Sequence, residues 1–490
     1  MMNRWFCSLM TLCGAGALWA AGAFADTVHV DVEWDGPSKG TAEQPFRTLG
    51  EAAKAYAAGN NHVVKVAGGR YRSTKAGGAE DFGSEGYNLN GRSGQWRGGY
   101  GGWTGEEFDW SEKTRVLPDV EAEKPEGMTV VDLEKANSRA FMLVAYSAST
   151  LFEGFVFQNA KVTQPDYDGG ALLLKGGMGG SAVRNCVFLD NRTTRGGGGL
   201  SLSGRGGTSA NCVFIGNHAT LGGALEVAPG NGEQTVQDFV FRNNSASNAG
   251  GAVYVPSYTV FLNQCTFENN TAGEWGGAVG GGSAMAALSR CRLVGNKAQH
   301  GAAMGGAGHQ AMQFRVENCL IVRNTSTADG AFIIEGVGGY NGGDLQMRFA
   351  TLADNTAPGG AVRAERSGDR TANLAVVNSI IIGTGNGVGV RADDPNASIS
   401  VSNVYGFNAL YAGTAKPADG AISADPEFVN PEGEDYRVLA SSACTDIAKD
   451  IGVTVDLEGH PRPRNKNDIG VDIGCHEVLP VPVDMVLLLK

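Results

Sequence analysis

One short pattern recurs along the middle of the chain and limits the fold more than any other feature. A Cys-x-Phe or similar apolar alternation is followed by an asparagine, and its second apolar position advances in steps of 26, 27, 26, 26 and 28 residues. The asparagines are Asn191, Asn217, Asn244, Asn270, Asn296 and Asn324. This period is too short for a unit that contains a crossover helix, and it is typical of one coil of a parallel β-solenoid.

A Gly-Gly-Ala sequence or a close variant opens a second apolar alternation in each repeat, as at Gly222-Gly223-Ala224-Leu225. Because alternate side chains of a strand share one face, the repeats predict two inward ladders. The ladders consist of Phe188, Phe214, Phe241 and Phe267, and of Leu200, Leu225, Val253, Val279 and Met304. We expect the asparagine side chains of successive coils to hydrogen-bond to one another at a turn. We also expect each asparagine itself to have the left-handed backbone conformation of that turn, and the glycines to form the next corner.

Five cysteines share one phase of the repeat: Cys186, Cys212, Cys265, Cys291 and Cys319. We expect these cysteines to face the interior as free thiols, with neighbours close enough for an occasional disulfide. Cys444 and Cys475 lie outside this ladder, and an exported protein could either join them or leave them as thiols.

The first 25 residues have the pattern of a signal peptide, with Arg4, an apolar run and a small-x-small sequence that ends at Ala25. No later stretch reaches the roughly 18 apolar residues of a membrane helix. The formal net charge is -12, which argues against a nucleic-acid partner. We therefore predict an exported protein at the extracellular or outer-membrane surface, with the periplasm as the alternative location.

Both ends of the mature chain resemble exported right-handed parallel β-helix proteins that end in a choice-of-anchor Q domain. The resemblance rests on Asp35-Gly36 through Leu49, on Gly98 to Gly101, on Gly154 to Phe157 and on Asp425-Pro426 through Gly474 with Glu477. The repeats are also similar to those of polymorphic outer-membrane proteins. The resemblance implies a right-handed β-helix, and Cys475 and His476 depart from the residues that the family usually has there.

The predicted fold class is all-β, a right-handed parallel β-helix of roughly 9 to 11 coils with a short N-terminal capping helix at Leu49 to Ala58. The predicted parts are a signal peptide (1–25), an N-terminal cap with the first coils (26–140), the β-helix repeats (141–405), C-terminal coils with the choice-of-anchor Q type end (406–478) and a tail (479–490). We expect a monomer.

Two classes of function fit such a rod. The preferred one is a non-catalytic, adhesin-like or glycan-binding protein whose partner is a polysaccharide or a cell-surface ligand. The alternative is a polysaccharide lyase or glycoside hydrolase that acts on an acidic polysaccharide. The candidate residues for either are Glu335, Arg363, Glu365, Arg391, Asp393 and Asp394, which the repeat places on one face. The same residues could instead form an ion ladder on an exposed wall.

Three further groups of residues have a possible role in binding. Asp166 and Asp168 could offer oxygen ligands to calcium, although a solvated turn is the commoner explanation. The aromatic cluster Trp96, Tyr100, Trp103, Phe108 and Trp110 could stack on sugars, but packing over the first coils is favoured. His218 and His300 follow turns, and we expect both to be surface residues.

Overall fold

The computed structural model describes residues 27–58, 62–89, 92–118, 127–134, 136–145, 148–164, 168–176, 180–228, 230, 232–306, 312–337, 344–365, 373–393, 397–463 and 470–478. These residues form an all-β parallel solenoid of about 10 turns, which confirms the predicted fold class. The signal peptide and the tail lie outside the described residues, as does Gly59, which follows the predicted helix. That helix (α1) is present at Leu49–Ala58.

Three parallel sheets form the walls, and we name them the large, middle and short sheets. The large sheet contains Thr27–Val30, His62–Ala67, Tyr87–Asn88, Gly94–Tyr100, Phe141–Ala145, Thr150–Glu153, Leu172–Gly176, Ala182–Arg184, Leu200–Ser203, Thr208–Ala210, Leu225–Ala228, Glu233–Gln237, Val253–Asn263, Val279–Ser289, Met304–Gly306, Gln313–Glu317, Phe332–Val337, Leu345–Arg348, Gly360–Glu365, Leu374–Val377, Val388–Ala392, Ser398–Ser400 and Ala409–Gly413.

The middle sheet contains Gly69–Arg72, Thr129–Asp132, Phe155–Gln158, Val187–Leu189, Val213–Ile215, Val240–Arg242, Thr266–Glu268, Arg292–Val294, Leu320–Val322, Thr351–Ala353, Ile380–Ile382 and Asn403–Tyr405. The short sheet contains Lys161–Val162, Arg192–Thr193, His218–Leu221, Ser245–Ala249, Thr271–Ala272, Lys297–Ala298 and Thr325–Ser326. Two antiparallel pairs join Gly102–Trp103 to Phe108–Asp109 and Phe428–Asn430 to Asp435–Val438, and short 3-10 helices span Thr74–Ala76 and Pro431–Gly433.

The interior ladders lie in the predicted register. Phe188 stacks on Phe214 with ring centroids 4.4 Å apart, and the stack continues through Phe241 and Phe267 at 5.3 and 5.0 Å. Leu200 pairs with Leu225, which pairs with Val253, and the column continues through Val279 to Met304. All of these side chains are buried, so like residues of successive coils fill one continuous core.

The asparagines form a hydrogen-bonded ladder inside the turn between the middle and short sheets. Each side-chain amide donates to the Oδ1 atom of the asparagine one coil later, over 2.9 to 3.1 Å. The bridging prediction is therefore confirmed, but the backbone prediction is wrong. The left-handed residues stand one position earlier, at Asp190, Asn243 and Asn269 for example, and a turn at that point directs the following asparagine inward.

The glycines form the corner before the large sheet, as predicted. Gly222 and Gly250 have φ angles of 59° and 68°. The second glycine of each pair is needed for space, because a Cβ atom on Gly251 would lie 2.1 Å from the carbonyl oxygen of Gly277. The coils therefore approach too closely at this corner for any side chain.

All seven cysteines of the described residues are buried free thiols, which confirms the preferred prediction for the ladder. Cys444 and Cys475 are not joined, and they pack in separate apolar clusters.

The residues after 424 run back along the outer side of the middle sheet, and we name 425–463 and 470–478 the C-terminal segment. Lys449, Val455 and Leu457 accept hydrogen bonds through their carbonyl oxygens from Asn378, Asn318 and Arg290, which lie on three different coils. The buried Arg462 donates to Asn318 and to the carbonyl oxygen of Gly474. This segment is thus fixed to at least three coils.

Candidate functional site

The candidate residues of the sequence lie in one outward column of the large sheet. Glu335 is in register with Arg363, and Arg363 is in register with Arg391. Glu365 belongs to the same strand as Arg363 and pairs with Val337 through its backbone. Asp393 directly follows the strand of Arg391 and is half-buried. The side chain of Glu365 and the whole of Asp394 lie outside the described residues.

Glu335 is enclosed rather than exposed. Its side chain is 0% exposed, and one of its oxygens accepts a hydrogen bond from the backbone N–H of Phe332 at the start of its own strand. The other oxygen lies 3.4 Å from Nδ1 of His300. Burial raises the pKa of Glu335, opposed by the hydrogen bond from Phe332 and by the charges of His300 and Arg363. The column is therefore neither the exposed ion ladder nor an open catalytic groove at this point.

His300 is half-buried, and it contacts residues of both neighbouring coils. Its ring stacks on Trp275 with centroids 4.5 Å apart, because the two residues are in register on adjacent coils. Its other contact is the Glu335 carboxylate. Position after a turn was the only signal in the sequence, and it does not show which residue of the neighbouring coil stands opposite.

Asp168 does not have the environment of a calcium ligand. Its two oxygens lie 3.0 Å from Nζ of Lys175 and 3.1 Å from Nε of Arg195. Two cations already neutralise the carboxylate, so the calcium prediction does not fit this residue. Asp166 lies outside the described residues.

A second carboxylate, the half-buried Glu226, lies near Asp168 in the same outward column as Glu335. It accepts a hydrogen bond from Oγ of Ser201 over 3.1 Å, and burial together with the negative charge of Asp168 raises its pKa to about 7. Glu226 was not among the predicted site residues. Its signal is the alternation Leu225-Glu226-Val227, which places the glutamate outward, directly after the glycine corner.

The aromatic insertion packs against the first coils, as favoured. Trp96 and Tyr100 are 0% exposed, and Trp96 contacts Phe141 and Phe152 with centroids 4.7 and 5.9 Å away. Trp110 donates a hydrogen bond from its indole to the carbonyl oxygen of Ala42 over 3.1 Å. These rings are part of the N-terminal packing.

The accessible cationic site lies on the outer face of the short sheet, and we name it the basic groove. Lys161, Arg192 and His218 follow one another in register on three coils. Thr163, Thr194 and Thr220 stand two positions further along the same coils. The basic groove is thus formed by these six residues, with a cation row beside a hydroxyl row.

Two adjoining clefts cover the basic groove. The first has a volume of about 510 Å³ and is lined by Glu134, Asn137, Asn159, Lys161 and Thr163. The second has a volume of about 190 Å³ and is lined by Lys161, Val162, Thr163, Arg192, Thr193, Thr194, His218 and Thr220. Since Lys161 and Thr163 line both, the clefts form one surface along the rod.

The charges of the basic groove are available to a ligand. Lys161 and Arg192 are exposed, and neither forms an ion pair in the part of the chain that the structure describes. His218 differs, since burial and the charge of Arg192 lower its pKa, and its Nδ1 atom lies 2.9 Å from Oγ of Ser245. The groove therefore offers two permanent cations, a neutral imidazole and hydroxyl groups. Arg192 and His218 directly follow the ladder asparagines Asn191 and Asn217, whereas Lys161 follows Ala160, so the asparagine pattern marks only two of these three residues.

Among the described residues, no helix is long and apolar enough to cross a membrane.

Comparison with known proteins finds a repeat family that matches in sequence and solved structures that are similar in fold. Residues 238–256 and 264–282 match the Chlamydia polymorphic membrane protein repeat. No curated protein matches the chain. A solved structure titled "Crystal structure of pectate lyase Pel9A" is similar with a TM-score of 0.45 and 11% identity, over 93% of this chain and 97% of that chain. The chain is thus a β-helix repeat protein with repeats resembling those of polymorphic membrane proteins, while the choice-of-anchor Q resemblance stays a prediction.

Proposed function

We propose that the protein is an exported, non-catalytic β-helix that binds an acidic polysaccharide or a similar anionic cell-surface glycan along the basic groove. The observation that carries the proposal is the register of Lys161 and Arg192, two exposed cations without ion-pair partners among the described residues. Adjacent coils are about 4.8 Å apart, so the cations repeat at a spacing comparable to one sugar unit of an extended chain. A linear polymer with one acidic group per unit could engage both cations at once.

The hydroxyl row supports recognition of a sugar rather than of a simple anion. Thr163 and Thr194 are exposed beside the cations, and Asn137 and Asn159 extend the polar lining. The hydroxyl protons of Thr163 and Thr194 are donated to Oδ1 of Asn137 and to the carbonyl oxygen of Gln164, so the hydroxyl oxygens are left to accept hydrogen bonds from the hydroxyl groups of a carbohydrate. An exposed ion contact alone contributes little, so several contacts along one polymer would be needed for useful affinity.

A location on the cell surface is supported by the match to the polymorphic membrane protein repeat and by the predicted signal peptide. A rod with a lateral groove suits such a location, because a long polymer can lie along it without entering a closed pocket. Adhesion through this groove is therefore the biological role that we propose.

The test is affinity electrophoresis of the full chain in gels that contain polygalacturonate, with dextran as the neutral polymer. We expect polygalacturonate to retard the protein and dextran to leave it unaffected. The double variant Lys161→Ala/Arg192→Ala should lose most of the retardation. Retardation should also weaken as salt is raised, because the exposed charges are screened.

The matched control is Lys54→Ala/Arg205→Ala, which removes the same charge from exposed positions off the short sheet and outside the basic groove. This variant should bind like the wild type. Equal losses in the two variants would show that binding depends on net charge alone, and no retardation of the wild type by any acidic polymer would contradict the proposal.

A polysaccharide lyase or glycoside hydrolase acting through the Glu335 column is the second candidate. The raised pKa of Glu335 suits a proton donor, but the enclosure of its carboxylate separates it from any bound polymer. The assay is release of unsaturated sugars or new reducing ends from acidic polysaccharides. Activity that disappears in both Glu335→Gln and Glu365→Gln would establish the enzyme and displace the binding proposal.

A further inference from the structure

A loop of the C-terminal segment brings together groups that ligate metals. Asp456 is 0% exposed, and its Oδ1 atom accepts hydrogen bonds from the backbone N–H groups of Glu458 and His460 over 2.9 and 2.8 Å. Its Oδ2 atom accepts a hydrogen bond from the N–H of Glu477 over 3.0 Å. These bonds hold the loop in one conformation and set the Glu458 and His460 side chains beside the Asp456 carboxylate.

The ligand atoms of these three residues converge. Nδ1 of His460 lies 3.2 Å from Oδ2 of Asp456 and 3.6 Å from Oε2 of Glu458. One ligand atom from each of the three residues lies within 4.8 Å of the others. A buried carboxylate thus lies directly beside an imidazole.

His476 supplies an independent observation at the same place. The residue is 6% exposed, and its Nε2 atom points at Oε1 of Glu458 from 4.0 Å, which is too far for a hydrogen bond. Its Nδ1 atom contacts the Cys475 thiol over 3.3 Å. The Nε2 nitrogen of this largely buried ring thus faces the cluster with no hydrogen-bond partner among the described residues.

We propose that Asp456, Glu458, His460 and His476 form a binding site for a divalent transition metal, with Zn²⁺ as the reference ion. Two imidazoles and two carboxylates suit zinc better than calcium, which prefers oxygen ligands alone. A tetrahedral zinc ion with bonds of about 2.0 to 2.1 Å has ligand atoms roughly 3.4 Å apart. The separations of 3.2 and 3.6 Å are close to this value, whereas His476, whose Nε2 atom lies 4.0 Å from the other oxygen of Glu458, would have to move closer when the ion binds.

Contacts with two arginines near the middle sheet hold the loop of the proposed site in place when no metal is bound, and they indicate which part of the protein a bound metal would stabilise. Nη2 of Arg292, on the middle sheet, lies 3.6 Å from Oε1 of Glu458, which leaves Oε2 for a metal. Arg290 of the same coil bonds the carbonyl oxygen of Leu457 over 3.1 Å. A bound ion would therefore tie the two ends of the C-terminal segment together and tighten the segment against this coil.

The test is titration of the chelator-treated full chain with Zn²⁺, followed by calorimetry and by elemental analysis of the dialysed protein. We expect one zinc ion per chain, and visible absorption typical of tetrahedral coordination when Co²⁺ replaces zinc. His460→Gln and His476→Gln should each weaken zinc binding at least about tenfold. His218→Gln is the matched control, since it removes a histidine far from the cluster, and it should bind like the wild type.

Thermal unfolding with and without zinc gives a second readout. Zinc should raise the unfolding temperature of the wild type and of His218→Gln, and it should have no such effect on His460→Gln/His476→Gln. Circular dichroism of the metal-free proteins checks that the variants are folded, and His476→Gln alone carries the test if the double variant is not. The absence of bound zinc in the wild type, or unchanged affinity in His476→Gln, would overturn the proposal.

Discussion

Replacing one asparagine of the buried ladder tests how much these side chains stabilise the solenoid. Asn270 lies in the middle of the ladder. Its amide donates to Oδ1 of Asn296 and to the carbonyl oxygen of Phe241, over 2.9 and 3.0 Å. Its Oδ1 atom accepts the backbone N–H and the side-chain amide of Asn244, each over 3.0 Å. The substitution Asn270→Ala removes all four hydrogen bonds.

The magnitude follows from the groups left without partners. The backbone N–H of Asn244 loses its acceptor in a position that water does not reach, and one amide hydrogen of the same residue loses its acceptor as well. A buried polar group without a partner costs about 1 to 3 kcal/mol. Two such groups give roughly 3 kcal/mol, which corresponds to a change on the order of 100-fold in the local opening equilibrium.

Hydrogen exchange is the suitable assay, because a stack of coils can open locally and a single unfolding free energy is then not defined. We expect the amide of Asn244 and its neighbours in the same coil to exchange on the order of 100 times faster in Asn270→Ala. The matched control is Asn263→Ala, the same change at a half-buried position on the outward face of a strand. Equal exchange rates in the two variants would refute the reasoning.

Three further predictions concern the core, the glycine corner and the buried charge. Phe214→Ala should lower the free energy of local opening of its own coil by about 3 to 5 kcal/mol, since it leaves a cavity inside the stack, and hydrogen exchange should show a smaller loss around the half-buried Phe428 in Phe428→Ala. Gly251→Ala should give little soluble protein because of its overlap with Gly277, whereas Gly230→Ala, with nothing within 4 Å, should cost only about 1 to 2 kcal/mol of backbone strain. The pKa of Glu226 rises to about 7 on folding from 4.5, so the wild type loses stability as the pH rises between these values. Glu226→Gln should remove that loss, about 3 kcal/mol at most, and an unchanged pH profile of thermal unfolding would contradict the assignment.

The repeating part of the fold could be predicted from the sequence because each coil obeys the same local rules. Alternation fixed which residues face inward, and a constant spacing fixed which of them meet, as for Phe188 and Phe214. The same reasoning placed Glu335, Arg363 and Arg391 in one column. It could not place the left-handed turn one residue before each asparagine, since aspartate, asparagine, arginine and glycine all occupy that position.

The environment of the candidate site could not be predicted in the same way. Burial of Glu335 depends on a side chain that folds back on the backbone of Phe332 and on His300 from another coil. The C-terminal segment is a stronger case, because Arg462 contacts Asn318 across 144 positions of sequence. No local pattern encodes such contacts, and although Asp456, Glu458 and His460 alternate within five residues, only the fold brings His476 towards them.

Direct cross-linking of neighbouring coils is the sharpest test of the stacked solenoid on which both proposals depend. Ser245 and Thr271 are in register on the short sheet, and Thr271 is in register with Lys297 one coil further on. Cysteines introduced at Ser245 and Thr271 should join on mild oxidation, because strands about 4.8 Å apart suit a disulfide. The pair Ser245→Cys/Lys297→Cys, two coils apart, should remain reduced. Cross-linking of the distant pair in preference to the adjacent one, measured by mass and free-thiol count, would contradict the stacking of the coils.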